Sequence, residues 1–227
     1  MKFFFLSIGF LFLSLTASIG HVNHYSDFNR LEYELFRNNK LIGFHNYDFL
    51  RSGDLLTVNS SVEFKITKLG VDLYKYKANS KEEYVNNKFT NFSSKTNQNN
   101  KEKYVNIAIN QSKNTLNIDG SSYKGETKID HIVGTWWNHE MVKANAQISA
   151  ISGRVIQQKV TFIGKEKIKI GNKTFNALRF NFKSSDENLP EKKKLNTDVW
   201  YEEDTLLWLK ASFDKQGYWE YRLKNYK

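Results

Sequence analysis

The sequence predicts an all-β domain, an antiparallel meander curled into a barrel or half-barrel, with one short helical segment. Three observations predict it. Short apolar–polar alternations run almost from end to end. Asparagine and glycine pairs, which tolerate the positive φ of tight hairpins, separate them. Few windows hold a helical period, and the credible one follows Trp136-Trp137-Asn138.

The elements read in order. Leu31 to Phe36 leads through Asn38-Asn39 into Leu41 to Leu50, and Ser52-Gly53-Asp54 turns into Leu55 to Ile66. Val71 to Ala78 continues past Glu82 to Val85, and Asn86-Asn87 turns it into Lys88 to Lys95. Tyr104 to Ile109 and Leu116 to Ile118 follow, after which Gly120 to Gly134 reads as a loop and Trp136 to Ala150 as a helical turn or two. Strands resume with Arg154 to Ile163 and Lys167 to Ile170. A Gly171-Asn172 turn leads into Thr174 to Phe182, and a polar loop over Ser184 to Lys194 comes next. Thr197 to Tyr201, Leu206 to Phe213 and Tyr218 to Leu223 complete the chain. Without crossover helices, roughly a dozen such strands form a meander. Runs such as Leu206 to Leu209 are apolar on both faces, so the face away from the core is expected to meet a second layer, a ligand or a partner.

The N-terminus carries Lys2, an apolar run from Phe3 to Leu15 broken by Ser7, Gly9 and Ser14, and then Thr16-Ala17-Ser18 and Gly20. A charged start, an apolar middle and a small-residue exit make residues 1–20 a secretory signal peptide, shorter than the roughly 20 apolar residues a membrane span needs. Residues 21–227 are then one all-β domain, expected in the periplasm or secreted. Aromatic residues form 15% of the chain and proline occurs once, a globular composition. Cysteine is absent, so packing alone must stabilise the domain and no lipobox exists. The formal net charge is +10, but the lysines are spread singly except at Lys192-Lys193-Lys194. That spread points to solubility, or to an anionic surface such as lipid headgroups, and no nucleic-acid partner is expected.

Catalytic and metal chemistry find little foothold. The five histidines, His21, His24, His45, His131 and His139, match no zinc spacing, so no metal and no cofactor are expected. No Gly-x-Ser-x-Gly elbow and no phosphate loop occur, and the carboxylate groups Glu82-Glu83, Asp186-Glu187 and Glu202-Glu203-Asp204 put neighbours on opposite strand faces. No catalytic residue is assigned. Two adjacent tryptophans outside regular strands are costly to expose, so Trp136-Trp137 reads either as a plug closing the barrel or as the lip of an apolar cavity, with Asn138 and His139 as polar markers.

Four stretches in order resemble an exported bacterial family, the domain of unknown function 6134. They are Lys40-Leu41-Ile42-Gly43 with Phe49, Glu82-Glu83-Tyr84 with Lys95-Thr96-Asn97, Trp137-Asn138 with Ile151-Ser152-Gly153, and Val199-Trp200-Tyr201 with Gly217 and Glu220-Tyr221-Arg222-Leu223. This chain departs from the family pattern at Tyr84, at Asn87 and at Trp136, where the pattern has tryptophan, glycine and histidine. The resemblance implies a periplasmic β fold, similar by analogy to the half-barrels of lipoprotein carriers. The expected function is a non-catalytic binding or carrier module for an apolar or lipidic group, using Glu82, Tyr84, Trp137, Asn138, His139, Trp200 and Tyr201. An envelope scaffold that packs on a protein partner is the alternative, and an enzyme using Glu82 with His139 or His131 is the third reading.

Overall fold

The structure, a computed structural model, describes residues 25–227; the segment read as a signal peptide, with His21 and His24, lies outside the described residues. Fifteen strands follow one another: β1 (Arg30–Arg37), β2 (Lys40–Ser52), β3 (Leu55–Lys68), β4 (Val71–Val85), β5 (Lys88–Gln98), β6 (Lys101–Asn110), β7 (Thr115–Gly120) and β8 (Lys124–Lys128) in the first half. The second half holds β9 (Ile132–Val133), β10 (Ala146–Ile148), β11 (Val155–Ile170), β12 (Lys173–Ser184), β13 (Asn196–Glu202), β14 (Trp208–Asp214) and β15 (Tyr218–Tyr226). The helical segment expected after Trp136 is only a 3-10 turn, His139–Lys143, followed by β10, and the loop expected over Gly120 to Gly134 contains β8 and β9.

All fifteen strands form one sheet ordered β8-β7-β6-β5-β4-β3-β2-β1-β15-β14-β13-β12-β11-β10-β9. The first and last strands of the chain therefore pair with each other, Leu35 opposite Tyr221. The sheet is left open between β8 and β9, which are neighbours in sequence. The expected turns hold their pairs: Asn38 and Asn39 lie at φ 48° and 61°, Asn86 and Asn87 at 50° and 60°. Each pair lets the chain reverse in two residues without breaking the ladder. At Gly43 the requirement is space, because a Cβ there would sit 2.1 Å from the Glu63 carbonyl oxygen and 2.4 Å from the Phe64 Cβ.

Alternation carries one face of each strand inward. From β1 to β4 this face brings Leu31, Tyr33, Tyr47, Phe49, Val58 and Tyr84 into the main core, where Trp208 stacks on Tyr33 with centroids 4.0 Å apart. A second cluster, Phe92 on β5, Val105 and Ile107 on β6, and Leu116 and Ile118 on β7, closes on Val133 and Ile148. Residues 132–153 thus lie across the inside of the curl. They are fastened there by Ser94, whose hydroxyl donates to the Ala150 carbonyl, and by the Ser122 N–H, which donates to Ser152 O. Buried Gln158 of β11 donates to the Met141 and Ala144 carbonyls, so the crossing segment's backbone is satisfied by the sheet that surrounds it.

Candidate functional site

The crossing segment is held at both ends by a short parallel pairing, Ile132 opposite Gln147 and Val133 opposite Ile148. Between them Asn138 caps the 3-10 turn by accepting from the Glu140 N–H. That cap directs Trp137 inward, where its ring meets Tyr25, Phe49 and Tyr84 edge to face at 5.5, 5.3 and 5.7 Å. The indole N–H donates to Glu82 Oε1 at 3.0 Å and the Tyr84 hydroxyl to Glu82 Oε2 at 2.8 Å, while Asn138 Nδ2 donates to the Tyr84 oxygen at 3.4 Å.

Glu82 is 1% exposed and Trp137 wholly buried, so this end of the interior is a closed hydrogen-bonded knot. Burial raises the Glu82 carboxyl above its ordinary value, against the lowering effect of its donors Trp137 and Tyr84. His139 and Tyr201 stand beside the knot, their rings 6.5 Å apart, and the Tyr201 hydroxyl donates to the Trp136 carbonyl. His139 Nε2 lies 3.2 Å from Glu140. His131 sits elsewhere, its Nδ1 2.6 Å from the Thr127 hydroxyl near the open seam.

Six of the seven residues expected at the site are thus neighbours, and Trp200 is the exception. Strand parity separates it from Tyr201: Tyr201 points inward while Trp200 lies on the outer face, opposite Arg179 and Lys210 in register. Both cations cover its ring, at 5.0 and 4.8 Å, and its indole N–H donates to Glu166. It is buried and belongs to the same hydrophobic cluster as Trp137, but its ring is covered from the outer face by Arg179 and Lys210 and does not enter the knot.

The other end of the interior is hollow. A cavity of about 230 Å³ lies between β2 to β5 and the crossing segment, with His45, Tyr76 and Thr96 on the sheet side, Trp136 and Gln147 on the other, and Tyr221 of β15 closing it. Among the described residues no charged side chain lines it. His45 Nε2 lies within hydrogen-bond distance of the Ser60 hydroxyl, at 2.8 Å, and its buried Nδ1 has no hydrogen-bond partner among the described residues. Burial drives the imidazole pKa down to about 3, so at neutral pH it is an uncharged ring with one donor and one acceptor. At the rim Phe64 stacks on Tyr76 at 4.8 Å and meets Trp219 at 5.3 Å, Phe213 stacks on Trp219 at 5.8 Å, and Trp136 meets Tyr221 at 5.1 Å. All these rim rings are partly exposed. Gly134 keeps the floor open, since a Cβ there would come 2.4 Å from Gln147 Oε1.

Of these rings only Trp136 and Tyr221 fall in stretches that the sequence marks, Trp136 in the segment read as a plug or as the lip of an apolar cavity and Tyr221 in a family stretch with no role assigned. For the others the usable signal is parity: Phe64 opposite Tyr76, and Phe213 opposite Trp219, continue the inward alternation past the point where burial ends.

Residues 33–224 match the model of a family described as Domain of unknown function (DUF6134). Among solved structures, the fold is similar to a beta-barrel-like protein of domain of unknown function DUF1849 from Brucella abortus, with a TM-score of 0.60 and 11% identity. That alignment covers 87% of this chain and 96% of the other. A DUF1329 family protein from Desulfovibrio piger aligns at 8% identity over 90% of this chain and 88% of that one, with a TM-score of 0.27. No curated protein matches the chain. The Brucella likeness concerns the fold alone.

Proposed function

The chain belongs to the DUF6134 family, and from the geometry of its interior we propose that it is a non-catalytic binding or carrier module, taking a neutral apolar group into the hollow half of the curled sheet. The observation that carries this reading is the contrast inside one curled sheet: uncharged walls and partly exposed aromatic rings surround a cavity of about 230 Å³, while the adjoining half is packed solid. A lipid chain or another slender apolar group fits walls of this kind. The His45 imidazole and the serine and threonine hydroxyls offer a few fixed polar contacts to orient it. The export signal read in residues 1–20 would place this activity in the periplasm.

Binding is assigned to Tyr76, Trp136 and Tyr221, with His45 as the polar marker, and the Glu82–Tyr84–Trp137–Asn138 knot supports the floor beneath them. Burial of apolar ligand surface supplies roughly 25 cal/mol per Å² before ordering costs. The test is titration of ligand-stripped mature protein with the neutral fluorophore N-phenylnaphthylamine. Saturable binding is expected, weakened about three- to tenfold by Tyr76→Ala or Trp136→Ala, each of which removes an aromatic contact. Trp200→Ala, on the outer face, should leave it unchanged. Absence of saturable binding in a folded sample would sink the carrier reading and leave the envelope scaffold.

A further inference from the structure

Two long hairpins extend beyond the body of the sheet, and they treat their apolar residues in opposite ways. Along β3 and β4 the neighbouring strands give out early: β2 pairs no further than Gly43 opposite Phe64, and β5 no further than Gln98 opposite Tyr76. Beyond those positions β3 and β4 pair only with each other, from Lys65 opposite Lys75 to Lys68 opposite Val71. Asn99 in the β5–β6 turn still bonds the Lys75 backbone and the Leu73 carbonyl, and from there outward the hairpin is a two-stranded finger. At its tip Leu69 is 94% exposed, Val71 61% and Leu73 54%.

The β11–β12 hairpin also outruns its neighbours, yet it folds its apolar side back. Ile168, Ile170 and Phe175 pack against the main core, and Phe175 meets Tyr226 at 6.4 Å. In the β3–β4 finger Tyr74 stacks back on Phe64 at 5.9 Å, but Leu69, Val71 and Leu73 stay exposed, and hydrophobic side chains on a protruding tip are costly in water unless something covers them.

The charge around the tip selects the cover. The finger carries Lys65, Lys68 and Lys75 against one acid, Asp72, which pairs with Lys75 at 3.3 Å and Lys65 at 3.8 Å and accepts from the Thr67 hydroxyl, so a net charge of +2 (three lysines less one aspartate) surrounds the tip. An apolar point ringed by lysines is complementary to a surface that is anionic outside and apolar beneath. The finger also grows directly from Phe64 and Tyr76, the rings at the rim of the hollow. We infer that the β3–β4 finger docks on an anionic lipid bilayer, with Leu69, Val71 and Leu73 entering the interfacial zone and Lys65, Lys68 and Lys75 meeting the headgroups. Such a contact would set the mouth of the hollow against the membrane, although docking does not depend on what the hollow binds.

The experiment is flotation of the mature protein with vesicles of equal parts phosphatidylglycerol and phosphatidylcholine, and with vesicles of phosphatidylcholine alone. Flotation is expected with the anionic vesicles only, and should weaken as salt is raised. Two variants, Leu69→Asp with Val71→Asp, and Lys65→Gln with Lys68→Gln and Lys75→Gln, should each cut the floated fraction roughly tenfold. Both should keep the wild-type melting transition and N-phenylnaphthylamine affinity, which separates loss of docking from loss of the fold or the hollow. The inference is overturned if the wild type fails to float with anionic vesicles, or if both variants float as it does. It is equally overturned if sedimentation shows a concentration-dependent dimer that Leu69→Asp dissolves, since the tip would then be covered by a second copy.

Discussion

The two halves of the interior differ both in their strand lining, large rings such as Tyr33, Phe49 and Tyr84 at one end against small or polar side chains such as Ser60, Ala78, Ser80 and Ser94 at the other, and in what reaches them from the crossing segment. At one end Trp137 enters and is met by Tyr25, Phe49, Tyr84 and the carboxylate of Glu82. At the other, Trp136 and Gly134 stop short, and Tyr76, Tyr221 and His45 face a space. Adjacent tryptophans thus have opposite tasks, one filling and one walling. An interior face becomes a core or an open hollow according to the size of its lining side chains and to whether a side chain of the same molecule arrives to cover it.

The sharpest way to break that comparison is to remove the filler. Trp137→Ala should lower the unfolding free energy by about 3–5 kcal/mol, because it leaves a tryptophan-sized void and takes from the buried Glu82 carboxyl one of its donors. Trp136→Ala should cost distinctly less, its ring being only partly buried. Denaturant titration of both variants checks the order, and equal small losses would mean that the knot anchors nothing.

The two halves should also respond to pH with opposite signs. His45 titrates near 6.5 when unfolded and at about 3 in the fold, so between those values the unfolded chain binds more protons and stability falls as pH is lowered. A tenfold difference in proton affinity between the two states is worth about 1.4 kcal/mol, so the loss should reach several kcal/mol near pH 3. His45→Gln should flatten this acid limb. Glu82 behaves in reverse: its folded pKa lies above the unfolded 4.5, so the stability it permits is full below that value and declines as pH rises through the folded pKa. Glu82→Gln should remove this decline and leave the acid limb intact. Urea midpoints measured across pH for the two variants and the wild type separate the two contributions, and a common slope for both variants would contradict the assignment.

A smaller effect is expected from Gly134→Ala. Its Cβ would press on Gln147 Oε1, the end of a flexible side chain that can shift, so stability should change by only about 1 kcal/mol. The floor of the hollow would nevertheless rise, and N-phenylnaphthylamine affinity should fall more than the melting transition moves. Unchanged affinity would place the ligand outside the hollow.

Much of the fold is legible in the sequence. The strands and the asparagine turns follow from local rules of period and φ, which each segment obeys independently of the rest. The Trp136-Trp137 segment stands out because two large rings outside regular strands must find cover, and the family resemblance sets Glu82 and Tyr84 with it. Trp200 parts from this group because a motif records sequence adjacency while a strand sends neighbours to opposite faces: Tyr201 reaches the knot and Trp200 the cations outside. Gly164, where the register shifts between β11 and β12, reads in sequence as a break between two strands, and the ladder runs through it.

By itself, then, the sequence determined an all-β meander, its hairpin reversals and the need to bury a tryptophan. Only the tertiary structure decided which rings meet across the interior. The pairing of β1 with β15 joins residues from opposite ends of the chain and sets Tyr221 near His45 at 5.8 Å, a contact that no local pattern encodes. Alternation assigns a residue to one face or the other but says nothing of what lies opposite, because that depends on how the whole sheet curls. The hollow exists because, with the curl fixed, small side chains such as Ser60, Ala78 and Ser94 face a crossing segment that places Trp137 in the other half of the interior and a glycine in this one.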